Sequence, residues 1–168
     1  MNTSINHLAP VWTHLSQSVI VRGEGPYLYT NTGQRLLDFT CGIGVTNTGH
    51  CHPRVVEAIQ KQAQELIFGQ VNCVISEPVL KLTDTLRSIM PQSLDGFFFS
   101  NSGAEAVEGA IKLAKAVTKR TNIIAFQGGF HGRTALTMAL TGSKTVYRAG
   151  FQPLPSGIFF APFPYAYY

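Results

Sequence analysis

A short turn at Ser102 has the features of a phosphate-binding helix start. Ser102 stands three residues before Glu105, which is the spacing of a capping box. Gly103 and Ala104 carry almost no side chain, so an anion could approach the free backbone amides of the first helical turn. The same small residues would also let the helix start pack closely on a sheet, and the spacing alone leaves both interpretations open.

A second group of functional side chains follows further along the chain. Phe130, His131 and Arg133 follow the glycine pair 128–129, which comes one residue after the apolar run 123–126. In a strand-helix-strand unit, the end of the second strand lies beside the helix N-terminus, at the edge where open α/β sheets bind ligands. An aromatic ring, an imidazole and a guanidinium beside a phosphate suit a flat, charged cofactor and a carboxylate substrate. Taken one at a time, a core phenylalanine, a hydrogen-bonding loop histidine and a solvated arginine are the more ordinary interpretations.

The elements that must position these groups are predicted from residue patterning. The apolar run 97–99 predicts a strand covered on both faces, and 123–126 predicts a second strand. Between them, apolar residues at helical spacing over 107–117 predict a helix that begins near Gly103. A short helix is expected over 134–140.

The upstream half predicts a hairpin, a glycine-rich loop and two helices. Short apolar segments flank an Asn- and Gly-containing turn at 30–33, which is a hairpin signal, and a first strand is expected at 19–22. The loop 41–50 is not a dinucleotide fingerprint, because Asn47 stands where the third glycine would be. Apolar residues at helical spacing then predict two helices, over residues 53–67 and 76–90.

Composition limits the classes of function. Only 13% of residues are charged and 45% are hydrophobic, which predicts that other protein covers much of the surface. The net charge of +4 is spread along the chain, so no nucleic-acid footprint is indicated. No signal segment or membrane-length run is evident, and a cytoplasmic location is expected. The segment 50–52, His-Cys-His, offers a metal alternative, but no second ligand pair at zinc spacing supports it.

Segments 101–108 and 130–134, which read NSGAEAVE and FHGRT, together resemble the class III, or ω-amino-acid, aminotransferases. The resemblance implies pyridoxal 5'-phosphate (PLP) as cofactor, with its phosphate on the amides of 102–104. It implies that Phe130 stacks on the pyridine ring with His131 beside it in the cofactor site. It also implies that Arg133 grips the substrate carboxylate.

The same resemblance implies an architecture and further site residues. The fold would be α/β, the N-terminal part of a fold-type I aminotransferase. In it, an arm and small-domain hairpin (1–50) lead into an incomplete PLP-binding large domain with a mixed sheet (51–168). Ile43, on the substrate-entrance loop, and Asn72, near an active site of its own or a partner subunit, become candidate substrate-binding residues. For Ile43, a strained loop without a binding role is the alternative.

The resemblance also implies what the chain lacks. In this family, a lysine that forms a Schiff base with the cofactor and an acid that holds the pyridine nitrogen lie beyond the matched segments. We therefore expect an N-terminal fragment of an enzyme, inactive alone and homodimeric when complete. It would transfer an amino group from an ω-amino acid or acetylornithine-type donor to 2-oxoglutarate. A non-enzymatic phospholigand-binding module and a structural remnant are the alternatives.

Overall fold

The computed structural model describes residues 7–11 and 14–167. These residues fall into two compact units, divided between Val79 and Leu80. The predicted N-terminal arm lies partly outside the described residues, and the predicted domain division at residue 50 stays a prediction. No helix in the described ranges combines the length and apolar character that crossing a bilayer requires.

The first unit contains the predicted hairpin within a three-stranded antiparallel sheet. The strands are β1 (Ile20–Glu24), β2 (Tyr27–Thr30) and β3 (Arg35–Leu37), in the order β1-β2-β3. Gly33 closes the turn between β2 and β3 with a φ of 83°, and its amide donates to Thr30 O at 3.1 Å. The hairpin prediction is confirmed at this turn.

A left-handed turn follows the sheet. It is α1 (Cys41–Gly44), in which Cys41, Gly42, Ile43 and Gly44 have φ values of 47°, 60°, 60° and 82°. Left-handed backbone costs a residue with a Cβ about 1–2 kcal/mol, so Cys41 and Ile43 are strained. Other contacts must therefore hold the turn.

Both helices predicted in the middle of the chain form. They are α2 (Pro53–Glu65), which has proline in its first turn, and α3 (Glu77–Ile89), which ends shortly before Pro91. The predicted stripe of α2 runs on to residue 67, but Leu66 is already extended (φ −160°, ψ 119°) and ends the helix.

The second unit is a strand-helix arrangement around a parallel strand pair. Its elements are α4 (Gly103–Thr118), β4 (Ile123–Phe126), α5 (Ala135–Leu140), a 3-10 turn (Thr145–Tyr147) and β5 (Ile158–Ala161). β4 and β5 run parallel, with Ile123 opposite Ile158. The predicted helix start at 103 and the predicted strand at 123–126 are confirmed. The helix predicted over 134–140 forms one residue later, because Thr134 is its extended N-cap, and β5 was not predicted.

The predicted strand at 97–99 is wrong. This segment forms no strand, and Phe98 and Phe99 are 81% and 44% exposed rather than covered on both faces. A strand exists only when a neighbour bonds its backbone, and no segment among the described residues pairs with 97–99. An apolar run alone carries no information about that neighbour.

Candidate functional site

The N-terminus of α4 is capped by Ser102. The Ser102 Oγ accepts a hydrogen bond from Glu105 N at 3.2 Å, as the capping-box spacing predicts. The return bond differs from the prediction, because Glu105 Oε2 accepts from Asn101 N at 2.7 Å rather than from the Ser102 amide. The glutamate thus fixes the residue before the cap.

Two amides at this helix start remain unused. The first helical bond runs from Ala106 N to Ser102 O at 3.0 Å, and Gly103 N and Ala104 N meet no acceptor in the described part of the chain. A Cβ placed on Gly103 would find no atom within 4 Å, so the space beside Gly103 is open. Such a helix start binds an anion through direct N–H bonds and the helix dipole.

The segment 128–134, here called the 128–134 loop, leaves the carboxyl end of β4. Its first residues bond to the end of α5: Gly142 N donates to Gly129 O at 2.9 Å and Gly128 N to Gly142 O at 3.4 Å. His131 N donates to Thr141 Oγ1 at 3.0 Å. The loop is therefore tied to the two residues that follow α5, of which Thr141 is buried.

The same loop lies directly against the first turns of α4. Gly132 has a φ of 132°, and a Cβ there would lie 2.8 Å from Ala104 Cβ, so only glycine permits this approach. Thr134 Oγ1 donates to Glu108 Oε1 at 2.6 Å. The structure thus brings the predicted phosphate-binding turn and the predicted ring- and carboxylate-binding loop into contact.

Three side chains of the 128–134 loop present an aromatic ring and two nitrogen groups. The Phe130 ring is half exposed and meets Tyr147 edge-on, with centroids 5.2 Å apart. The Arg133 Cζ lies 5.6 Å from the Phe130 ring centroid, and within residues 7–11 and 14–167 its guanidinium has no carboxylate partner. His131 is half-buried. A flat ligand and a carboxylate could therefore both be held here.

The lysines of α4 lie away from the open amides. Lys112, Lys115 and Lys119 are placed along the helix, roughly 14 to 24 Å from Gly103 by the rise of 1.5 Å per residue. Lys119 ends the helix in a left-handed conformation, with a φ of 59°. Of the three, Lys112 is the nearest to the first turn of α4, and its Cα lies about nine residues along the helix from it.

Ile43 and Asn72 belong to the first unit, whereas the other candidate residues belong to the second. Ile43 projects from the left-handed turn and is 96% exposed. Asn72 is exposed in a turn in which Cys73 N donates to Gln70 O at 2.9 Å. Their predicted part in substrate binding stays a prediction.

A carboxylate that sequence reasoning missed holds the left-handed turn. Asp38 Oδ1 accepts from Thr40 Oγ1 at 2.6 Å, Thr40 N at 2.8 Å and Cys41 N at 3.1 Å, and Oδ2 pairs with His50 Nε2 at 2.8 Å. Hydrogen bonds from Thr40 first, and then from His50, hold the pKa of the Asp38 carboxyl well below its usual range. The Asp-x-Thr spacing before a glycine-rich loop was the available signal.

The His50–Cys51–His52 segment gives no metal centre in the described ranges. No group of three or more His, Cys, Asp or Glu side chains there is arranged to hold an ion. His50 is instead bonded to Asp38, at the wall of a cavity of about 350 Å³ that the 46–49 segment also lines.

Comparison with known proteins gives one consistent family. The model for class-III aminotransferases matches residues 9–168. A probable 4-aminobutyrate aminotransferase of Bacillus subtilis is 44% identical over 153 residues, covering 90% of this chain and 35% of that protein. An acetylornithine aminotransferase of Methanocaldococcus jannaschii is 46% identical over 151 residues, covering 86% and 37%.

Solved structures agree with the sequence matches. A thermostable (S)-enantioselective ω-transaminase from Thermomicrobium roseum superimposes with a TM-score of 0.86 at 30% identity, covering 98% of this chain and 39% of that one. An adenosylmethionine-8-amino-7-oxononanoate aminotransferase from M. jannaschii gives 0.83 at 32% identity, covering 93% and 39%. The chain spans between 35% and 39% of the length of these four relatives.

Proposed function

Because the chain belongs to the class-III aminotransferases, whose cofactor is PLP, we propose that it forms the phosphate, ring and substrate-carboxylate site of such an enzyme. The α/β fold predicted for the N-terminal part of a PLP-dependent transaminase is shared with solved members. One observation carries the proposal. The contact between Gly132 and Ala104 places the 128–134 loop beside the open amides of α4.

The residues present fit the cofactor phosphate. The amides of Gly103 and Ala104 are unbonded within the described ranges, and the space beside Gly103 is open. The Ser102 hydroxyl stands at the same helix start. A phosphate there would gain direct N–H bonds and a dipole contribution of roughly 0.3 to 2 kcal/mol. These three residues are the proposed phosphate binders.

The 128–134 loop fits the remaining groups. The exposed part of the Phe130 ring offers a stacking surface, and His131 lies beside it in the chain. Arg133, which has no carboxylate partner among the described residues, carries a fork of donors suited to a carboxylate. When bound, PLP supplies the electron sink that transamination requires. The role of this chain is to bind the cofactor, orient it and seat the substrate carboxylate.

The relatives' names support a substrate class. Two of the relatives are named as a probable 4-aminobutyrate aminotransferase and an acetylornithine aminotransferase, and another relative, from Pseudomonas putida, is named as a 5-aminovalerate aminotransferase. All three name an amino compound that also carries a carboxylate. We propose an ω-amino acid or acetylornithine-type donor and 2-oxoglutarate as acceptor, with Ile43 and Asn72 as further substrate contacts.

These 168 residues are proposed to bind the cofactor without turnover. A transaminase needs a lysine at the cofactor carbonyl, and the lysines of α4 lie roughly 14 to 24 Å from Gly103. Lys144, which precedes the 3-10 turn, is the remaining lysine close in sequence to the site. A phospholigand-binding module without catalysis is the second candidate, favoured by the same separation.

The test is to purify the 168-residue chain, titrate it with PLP, and assay glutamate formation from 2-oxoglutarate with 4-aminobutyrate and with acetylornithine. Borohydride reduction followed by peptide mapping locates any lysine adduct. We expect saturable PLP binding, no sustained glutamate formation and no stoichiometric adduct. Sustained turnover, or one stoichiometric adduct on Lys112, Lys115, Lys119 or Lys144, would overturn the statement that the chain lacks its own catalytic lysine.

A further inference from the structure

The most deeply buried side chains of the second unit include two hydroxyls. Thr137 and Thr141 are each 0% exposed, and the apolar residues buried with them are small or few: Ala125, Ala139 and Leu140. A hydroxyl is costly to bury unless it is hydrogen-bonded. The hydrogen-bond partners of these two threonines therefore show which segments are held together around α5.

Thr141 closes the 128–134 loop onto the end of α5. Its Oγ1 accepts from His131 N at 3.0 Å and lies 2.9 Å from Thr137 O and 3.3 Å from Gly132 O. One hydroxyl thus contacts the backbone amide of His131 and the backbone carbonyl of Gly132, both in the loop. An apolar side chain at this position would leave the His131 amide without its partner.

Thr137 extends the contact to α4. Its Oγ1 accepts from Thr134 N at 3.1 Å and lies 2.7 Å from Thr134 Oγ1. Because Thr134 Oγ1 gives its only proton to Glu108 at 2.6 Å, the Thr137 hydroxyl is the donor between the two threonines. A continuous chain of bonds therefore joins α5, the loop and α4.

We propose that Thr137 and Thr141 are positioning residues for the cofactor site. Neither would touch the cofactor. Their hydroxyls hold the 128–134 loop against the first turns of α4, so that the Phe130 ring and the Arg133 guanidinium are preorganised beside the open amides. This inference rests on the proposed function for its ligand, but the loop geometry stands without it.

The experiment removes each hydroxyl while keeping the side-chain shape. The variants are Thr137→Val and Thr141→Val, with Thr137→Ser and Thr141→Ser as conservative rescues. Thr118→Val is the matched control. Within the ranges that the structure describes, the Thr118 hydroxyl bonds only to Ala114 O of its own exposed turn and to Arg120 N. Two quantities are measured on the 168-residue chain: amide hydrogen exchange without ligand, and the Kd for PLP.

We expect both valine variants to exchange the amides of the 128–134 loop about tenfold faster or more, the range that a lost buried hydrogen bond gives. The amides of β4 should keep their rates, and the Kd for PLP should rise by a similar factor. The serine variants and Thr118→Val should behave as the wild type.

Each other outcome contradicts the proposal in a recognisable way. Unchanged loop exchange in the valine variants, or serine variants as impaired as valine ones, would show that the hydroxyls hold nothing. Equal acceleration of β4 amides would show a role in folding only. Faster loop exchange with an unchanged Kd would show that the position of the loop does not affect PLP binding. If the wild type binds no PLP, the proposed function fails, and the exchange rates alone decide whether the threonines hold the loop.

Discussion

At the scale of single residues, Gly103 decides whether an anion can reach the helix start. Gly103→Asp would place a carboxylate at the open amides, where it would occupy the anion site and repel phosphate. We expect the affinity for PLP to fall at least about tenfold, because charged hydrogen bonds contribute roughly 1.5–3 kcal/mol each. Gly96→Asp is the matched control, since a Cβ at Gly96 also meets open space. Equal PLP affinity in the two variants would remove Gly103 from the site.

Arg133 gives a second prediction at this scale. Arg133→Lys keeps the charge but loses the planar fork that binds a carboxylate through two parallel bonds. On the PLP-loaded chain, we expect 2-oxoglutarate to bind about tenfold more weakly while the Kd for PLP stays the same. Arg148→Lys is the control, because Arg148 also lies over a ring, 4.9 Å from the Phe160 centroid. Weaker PLP binding with normal 2-oxoglutarate binding would show that Arg133 contacts the cofactor rather than the substrate carboxylate.

Features of single residues were also the most predictable from the sequence. The cap at Ser102 and the exposed groups of the 128–134 loop depend on local spacing, which the sequence contains. The return bond of Glu105 to Asn101 was mispredicted because a flexible carboxylate can choose either of two neighbouring amides. Asp38 was missed because one of its four hydrogen-bond donors is His50, which is twelve residues away in the sequence.

At the scale of elements, the left-handed turn α1 depends on the ionised Asp38. Its pKa is lowered, so the charged form stabilises this region at pH values above about 3.9, the usual Asp value. That stabilisation falls only as pH drops below this value toward the lower pKa of the folded state. We expect the Thr40 and Cys41 amide signals to stay unchanged down to about pH 4.

Asp38→Asn should change those two amide signals at neutral pH, because the carboxylate that holds them is gone. Asp95→Asn is the control, since Asp95 has no ion pair among residues 7–11 and 14–167. The measurement is a pH series of amide NMR spectra of each chain. Titration of the wild-type amides near pH 4, or identical spectra for Asp38→Asn and wild type, would show that Asp38 does not hold the turn.

Elements were predictable wherever their signals are local. The helices carry apolar periodicity and caps, and the β2–β3 hairpin carries its own turn glycine. The wrong prediction of a strand at 97–99 and the failure to predict β5 have the same cause. Strand pairing depends on a distant segment, and β5 pairs with β4 some thirty-five positions back, Ile158 opposite Ile123.

At the scale of the whole molecule, the chain leaves much of its apolar surface uncovered. Exposed side chains in the first unit include Phe39 and Ile67, each at 88%. Exposed side chains in the second unit include Val117 and Phe98, at 73% and 81%. We expect the isolated chain to associate with itself, seen as a molar mass above 18.3 kDa in light scattering. A monodisperse monomer would contradict this. The cytoplasmic location and the homodimer stay predictions.

The central claim is that the open amides of α4 and the 128–134 loop form one PLP site. The most direct measurement is a PLP titration of the ¹⁵N-labelled chain, followed by the amide signals. The account predicts saturable shifts at Gly103 and Ala104 together with Phe130, His131 and Gly132, all with one Kd, and inorganic phosphate shifting only the first two. Shifts confined to lysine-bearing segments, or unequal Kd values for the two groups, would contradict it.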